Sequence, residues 1–140
     1  MTVLFDTDIV LDLLLARTNF VSEAEALFEA HDRGEIQAYI SAITPVNVFY
    51  IAGKVLGRPG TAQAIYELLA SVDVCAVNQH VLQMALNSPI SDFEDAVQTA
   101  SAINAKLDAI VTRNLKDYNN SPLPVYSPSD FLALLEATEQ

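Results

Sequence analysis

Asp92-Phe93-Glu94-Asp95 places three carboxylates within four positions, directly ahead of an alanine-rich stretch that runs to Asn104. A helix start tolerates acids, because its free N–H groups and dipole favour negative charge, and Ser91 or Asp92 suffices as the N-cap. Three acids exceed what capping requires. Asp92 and Asp95, at i and i+3, share one face of the first turn, a spacing that lets paired carboxylates ligate a hard cation. Glu94 is expected to point elsewhere. A second acidic group, Asp6-Thr7-Asp8, follows the apolar run Val3-Leu4-Phe5, and a third polar group runs from Thr112-Arg113-Asn114 to Asp117. Several carboxylates in one cleft repel strongly unless a divalent cation joins them. Oxygen ligands in small number suit Mg2+ or Mn2+, which keep several waters, bridge to phosphate and activate water for attack on a phosphodiester. Zinc is not expected. Cys75 is the only cysteine, and the distant His31 and His80 offer no ligand spacing, so both histidines read as surface or hydrogen-bonded groups.

Whether these groups meet depends on the elements that carry them. Residues 3–5, 38–41, 72–77, 109–112 and 125–126 read as strands, and the short continuous apolar runs are the pattern of strands covered on both faces. A buried helix is expected over 9–16, capped by Thr7 or Asp8. A second starts at the capping box Ser22-Glu23-Ala24-Glu25 and ends before Gly34. Thr44-Pro45 leads into a helix from about Val46, which Gly57-Arg58-Pro59-Gly60 stops. Thr61 caps a helix over 62–71, Asn78 caps one ending near Asn87, Asp92 starts one ending near Asn104, and Ser127-Pro128 opens the last, over 129–137.

Strands and helices alternate, with no tight hairpin signal and no internal repeat. The expected fold class is therefore α/β: a three-layer α/β/α sandwich around a mainly parallel sheet of about five strands, one domain over 1–140. In such a sheet, sites form at the C-terminal ends of strands. If the first and fourth strands are neighbours, Asp6, Asp95 and Asp117 face one cavity, and Thr112 and Asn114 add neutral oxygens.

Bulk composition narrows the function. Of 140 residues, 51% are hydrophobic, which excludes disorder and gives enough chain for a proper core. No apolar run reaches the about 18 residues of a membrane span, since Asp12 interrupts even residues 9–16. The absence of a basic leader before the first strand predicts no signal peptide, and Cys75 in an apolar run predicts a buried thiol in a reducing cytoplasm. Eighteen acids against seven bases give a net charge of −11, opposite to the usual nucleic-acid footprint. A bound polyanion would need a local basic patch, bridging cations or a partner's charges.

Several pieces, in order and spacing, resemble the PIN-domain family, of the type that includes the VapC toxins of bacterial toxin–antitoxin pairs. They are the apolar strand ending in Asp6 with Thr7-Asp8, Tyr39-Ile40-Ser41 before a helix, Asp92-Phe93-Glu94-Asp95-Ala96, Ile110-Val111-Thr112-Arg113-Asn114, and Val125-Tyr126-Ser127-Pro128 with Phe131-Leu132. The resemblance implies a ribonuclease dependent on Mg2+ or Mn2+, with three or four acids at its centre, forming a homodimer and occluded by an antitoxin. The family's first acid matches Asp6. Its third matches Asp95, with Asp92 as a substitute one turn earlier. The fourth, commonly Asp after Thr-Arg, is here Asn114, for which Asp117 would take over. The second, usually Glu in the helix after the second strand, corresponds to Asn47, which brings an oxygen but no charge. Arg113, Lys116, Lys54 and Arg58 are the bases expected to contact an RNA backbone while the metal offsets the acids.

Two other readings follow from the same residues. Asn47 and Asn114 at usually acidic positions support a PIN-fold binding module with weakened catalysis. Asp6-Thr7-Asp8-Ile9-Val10 resembles the haloacid-dehalogenase phosphotransferases, with Asp6 as nucleophile, although no Lys lies between Lys54 and Asp95.

Overall fold

In the computed structural model, which describes residues 1–138, the first strand is buried on both faces. β1 (Thr2–Phe5) turns Val3 and Phe5 into one core and Leu4 into the other, the period-two alternation of a strand. β2 (Gln37–Ser41), β3 (Asp73–Cys75), β4 (Ala109–Val111) and β5 (Val125–Tyr126) complete a five-stranded sheet in the order β3-β2-β1-β4-β5. Every pairing is parallel. Parallel strands need helical crossovers, and those crossovers cover both faces. On the Val3 and Phe5 face lie α1 (Thr7–Leu14), α2 (Val21–Asp32), α3 (Thr44–Ser71) and α6 (Pro128–Thr138). On the Leu4 and Ile110 face lie α4 (Gln79–Leu86) and α5 (Phe93–Asn104). The three-layer α/β/α expectation holds. No helix among the described residues is long and apolar enough to cross a membrane.

Chain order dictates where a site can form. β1 pairs with β2 on one side and with β4 on the other, with Val3, Leu4 and Phe5 opposite Ala109, Ile110 and Val111. The connections run outward in opposite directions from β1, leaving a crevice at the carboxyl ends of β1 and β4.

Local signals were kept in part. Asn78 caps α4 through a 3.0 Å bond from the Val81 amide, and Asp92 caps α5 through one from the Asp95 amide. Gly34, at φ 77°, takes the left-handed turn after α2 that favours glycine. The capping box at Ser22 does not form. Residues 17–20 already turn, with the Val21 and Ala24 amides donating to the carbonyls of Arg17 and Phe20, so Ser22 lies inside the helix. Nor does Thr7 or Asp8 cap α1, which begins at Thr7 with Asp6 at the N-cap position. Gly57 (φ 75°, ψ 163°) breaks α3 into two limbs that meet with no loop between them. Thr61 therefore sits within the second limb and donates its hydroxyl to the Gly57 carbonyl at 2.7 Å instead of capping. β3 is three residues long, shorter than 72–77, because its only partner is β2 and that register ends at Cys75. Cys75 is buried, and the His31 ring bridges the Ser71 carbonyl and the Ala38 amide, both as expected.

Candidate active site

Asp6 leaves β1 at the N-cap position of α1, yet its side chain caps nothing. Oδ1 instead accepts from Gln98 Nε2 at 2.8 Å, and Oδ2 from Thr112 Oγ1 at 2.7 Å. The residue is only 4% exposed. A buried carboxylate must be hydrogen-bonded, and here the donors are neutral, so they satisfy the oxygens without cancelling the charge. Thr112 reaches Asp6 because Phe5 and Val111 are in register, which brings the residues after them side by side.

Asp8, the second residue of α1, closes the same strand ends. Its Oδ2 accepts from the Arg113 amide at 3.1 Å and from Asn114 Nδ2 at 3.2 Å, while the Asn114 amide donates to Thr112 Oγ1 at 3.0 Å. Asp8 Oδ1 is buried with no hydrogen-bond partner among the described residues. Burial first, and the neighbouring Asp6 charge second, push the Asp8 carboxyl up.

α5 brings the remaining acids. With Asp92 as cap, Glu94 and Asp95 fan out from a helix end aimed at the crevice, so all three line it. The expectation that Glu94 points elsewhere is corrected: spacing along a helix does not fix directions around an end that faces the site. Burial and then the Asp6 charge raise Glu94, while hydrogen bonds from the Thr7 and Asn47 side chains pull it down. Asp95 is pushed up to about 7, by burial, then by Asp6 and Asp92, against a hydrogen bond from Tyr118. Tyr118 Oη lies 3.2 Å from Asp95 Oδ1 and 3.1 Å from Gln98 Nε2. Burial, and then the Asp6 charge, push the Tyr118 phenol up, which keeps it a donor.

The result is an open cleft of about 250 Å³ lined by Asp6, Thr7, Asp8, Leu11, Ile51, Asp92, Glu94, Asp95, Asn114 and Asp117. Among the described residues, no Lys, Arg or His lines it. The structure thus brings Asp6, Asp92, Asp95, Asn114 and Asp117 together, with Thr112 buried directly beneath. Asn47 is not among the described residues that line the cleft, and its side chain acts on the group by lowering the Glu94 carboxyl. The expected bases are not gathered there. Arg113 is committed to Asp12, with Nε and Nη2 at 2.6 and 3.0 Å, and its guanidinium stacks on Phe20 at 3.8 Å. Arg58 lies 5.9 Å over the Phe49 ring, and Lys54 and Lys116 are exposed outside the cleft lining. Asp8, Glu94, Gln98 and Tyr118 are the participants that sequence reasoning did not assign to the site.

The donor set suits a hard divalent cation: oxygens only, an excess of carboxylate, and an orphaned Asp8 oxygen inside the group. Among the described residues, no three His, Cys, Asp or Glu side chains converge to hold one ion as they stand. An ion here would therefore take few protein oxygens and keep waters, as Mg2+ does.

A family model described as PIN domain matches residues 2–116. The chain belongs to the PIN-domain family. The haloacid-dehalogenase resemblance is thereby set aside. Among solved structures, a toxin–antitoxin complex from Klebsiella pneumoniae contains a chain 28% identical to this PIN domain. The match covers 90% of this chain and 97% of that one, at TM-score 0.68. DNA-bound VapBC from Salmonella typhimurium matches at 16% identity, over 91% of this chain and 98% of that one, at TM-score 0.70. VapC20 from Mycobacterium tuberculosis, a toxin that cleaves the sarcin–ricin loop, matches at 15% identity over 77% and 86%, at TM-score 0.64. The last two show a shared fold alone. No curated protein matches the chain.

Proposed function

We propose that this PIN domain is a divalent-metal-dependent endoribonuclease, the toxin of a toxin–antitoxin pair, using Mg2+ or Mn2+. The observation that carries the reading is Asp6: a buried carboxylate at the switch point, turned away from the helix it could cap and held only by neutral donors. Asp6 and Asp95 are the principal ligands, with Asp8, Asp92, Asn114 and Asp117 around them. Asn47 brings no charge from α3, whereas Glu94 brings one to the cleft from α5. That relocation favours an active nuclease over a PIN module with weakened chemistry.

A divalent cation held by these carboxylates would supply Lewis acidity, for activating water and offsetting charge on the phosphodiester. The chain's own residues do the positioning. Thr112 fixes Asp6 Oδ2, and Asn114 and the Arg113 amide fix Asp8 Oδ2. Among the described residues no donor reaches Asp95 Oδ2, which leaves that oxygen available to a ligand or a proton. Lys116, beside Asp117, is the base best placed to meet an RNA backbone. Lys54 and Arg58 on α3 would extend that track, whereas Arg113 braces the loop. Capture by an antitoxin belongs to the same reading, supported by the Klebsiella complex, and so does pairing as a homodimer, supported by Val46, Tyr50, Val55 and Tyr66 exposed on α3.

The test is cleavage of end-labelled structured and single-stranded RNAs with Mg2+, Mn2+ or EDTA, comparing wild type with Asp6→Asn. Metal-dependent cutting that disappears in the variant is the expected result. Well-folded wild type that cuts nothing overturns it.

A further inference from the structure

Gln98 is fully buried and Tyr118 is 2% exposed, in a core otherwise built from Ala96, Val97, Ala100 and Ile110. Polar side chains in such surroundings are tolerated only when all their groups are paired. Here the partners are the site's own residues.

Hydrogen positions follow from one group that has no choice. The Thr7 backbone N–H can only donate, so the Gln98 atom 3.3 Å from it is Oε1. The amide is thereby oriented, and Nε2 faces Asp6 Oδ1 and Tyr118 Oη, spending both of its hydrogens. Tyr118 Oη, accepting from Gln98, has a single hydrogen of its own, which goes to Asp95 Oδ1. Donation therefore runs one way along each branch, from Gln98 to Asp6, and from Gln98 through Tyr118 to Asp95.

We propose that Gln98 and Tyr118 are positioning residues, a branched chain of neutral donors that holds the Asp6 and Asp95 carboxylates in fixed relation, both as acceptors, for one cation. The proposal rests on the reading of the cleft as a divalent-cation site. Because Gln98 sits on α5 while its Oε1 is held from α1 by Thr7 and its Nε2 faces Asp6 at the end of β1, the same chain ties α5 to the β1–α1 junction. A counter-charge in Gln98's place would neutralise Asp6 and remove its claim on the ion; an apolar residue would leave both carboxylates free to turn.

Tyr118→Phe removes one hydroxyl and little else. Its kcat for RNA should fall about tenfold with KM unchanged, and its dissociation constant for Mn2+, measured by calorimetric titration of the RNA-free protein, should rise about tenfold. Gln98→Glu keeps the size but faces Asp6 Oδ1 with another carboxylate, and should lose more on both readouts with an unchanged circular dichroism spectrum. The double variant should be no worse than Gln98→Glu alone, since the chain is already cut. Wild-type kcat and Mn2+ affinity in Tyr118→Phe, or a change in KM alone, overturns the proposal; if Gln98→Glu does not fold, Tyr118→Phe decides by itself. Wild type that binds Mn2+ but cuts no RNA defeats the ribonuclease reading, and the Mn2+ titrations of the variants then decide the positioning role. Wild type that binds no Mn2+ overturns both.

Discussion

Asp6 and Asp12 stand six residues apart on one short segment and are buried to nearly the same degree, 4% and 1% exposed, yet the chain treats them in opposite ways. Asp12 is neutralised from within. Arg113 grips it through two nitrogens, and Arg17 Nη1 adds a contact at 3.4 Å. Asp6 receives only the amide of Gln98 and the hydroxyl of Thr112. One burial is completed by the protein's own cations and is therefore closed. The other is satisfied in hydrogen bonds and unsatisfied in charge, which leaves an electrostatic demand that only something outside the chain can meet. Burial of an acid does not by itself mark a functional site; the kind of partner does.

The contrast can be broken most sharply by removing the charge from each in turn. Asp6→Asn should reduce RNA cleavage at least a hundredfold, as loss of a metal-site carboxylate does. Its melting temperature in EDTA should be unchanged or higher, since one of several repelling acids is gone. Asp12→Asn should lower the melting temperature instead. Arg113→Ala approaches the same pair from the other side. It leaves Asp12 buried with a lone, longer contact to Arg17, and should destabilise by about 3 kcal/mol in urea unfolding, as broken buried pairs do. A loss near that of an exposed ion pair, under about 1 kcal/mol, would show that the two acids do not differ as described.

Acidity sharpens the comparison further. Asp95 titrates near 7 in the fold, and Asp8 and Glu94 are raised as well, all with burial as the first cause. For an acid raised above its unfolded value, the native state holds the proton more tightly than the unfolded chain does. Stability is therefore full below the unfolded carboxylate pKa and falls as pH rises through the folded one. In EDTA the melting temperature should decline from about pH 4 to pH 7, and Mg2+ should reverse most of that decline at pH 7 and little of it at pH 4. Equal effects of Mg2+ at both pH values would count against the cation site. The smallest effect is expected from Asn47→Glu. A second acid beside Glu94 should raise Mn2+ affinity about threefold, since affinity follows ligand charge, and lower the melting temperature in EDTA.

Much of the fold was legible because its signals are local. Val3-Leu4-Phe5 and Ala109-Ile110-Val111 are apolar throughout, which only a strand covered on both faces requires, and Asn78 and Asp92 cap the helices they were expected to cap. The capping box at Ser22 misled because the preceding residues were already turning, which side-chain preference does not report. Within the site, Asp6 and Asn114 could be placed from strand ends, and Asp95 from the helix start that leads into the fourth strand. Glu94 could not, because its direction depends on how the end of α5 meets the sheet. Arg113 looked like a free base since its partner Asp12 lies 101 residues away. Gln98 did leave a trace: a lone amide in Ala96-Val97-Gln98-Thr99-Ala100, one turn after Asp95 and on the same face.

The register between β1 and β4 also sets a timetable. Asp6 is synthesised 106 positions ahead of its donor Thr112, with Arg113 and Asn114 behind that. A nascent chain that has not yet reached β4 carries Asp6, Asp8 and eventually Asp95, but it has no fourth strand to lay beside the first. The cleft cannot close around its acids until β4 and the residues that follow it have been made, so whatever chemistry it performs is withheld while they are still to come.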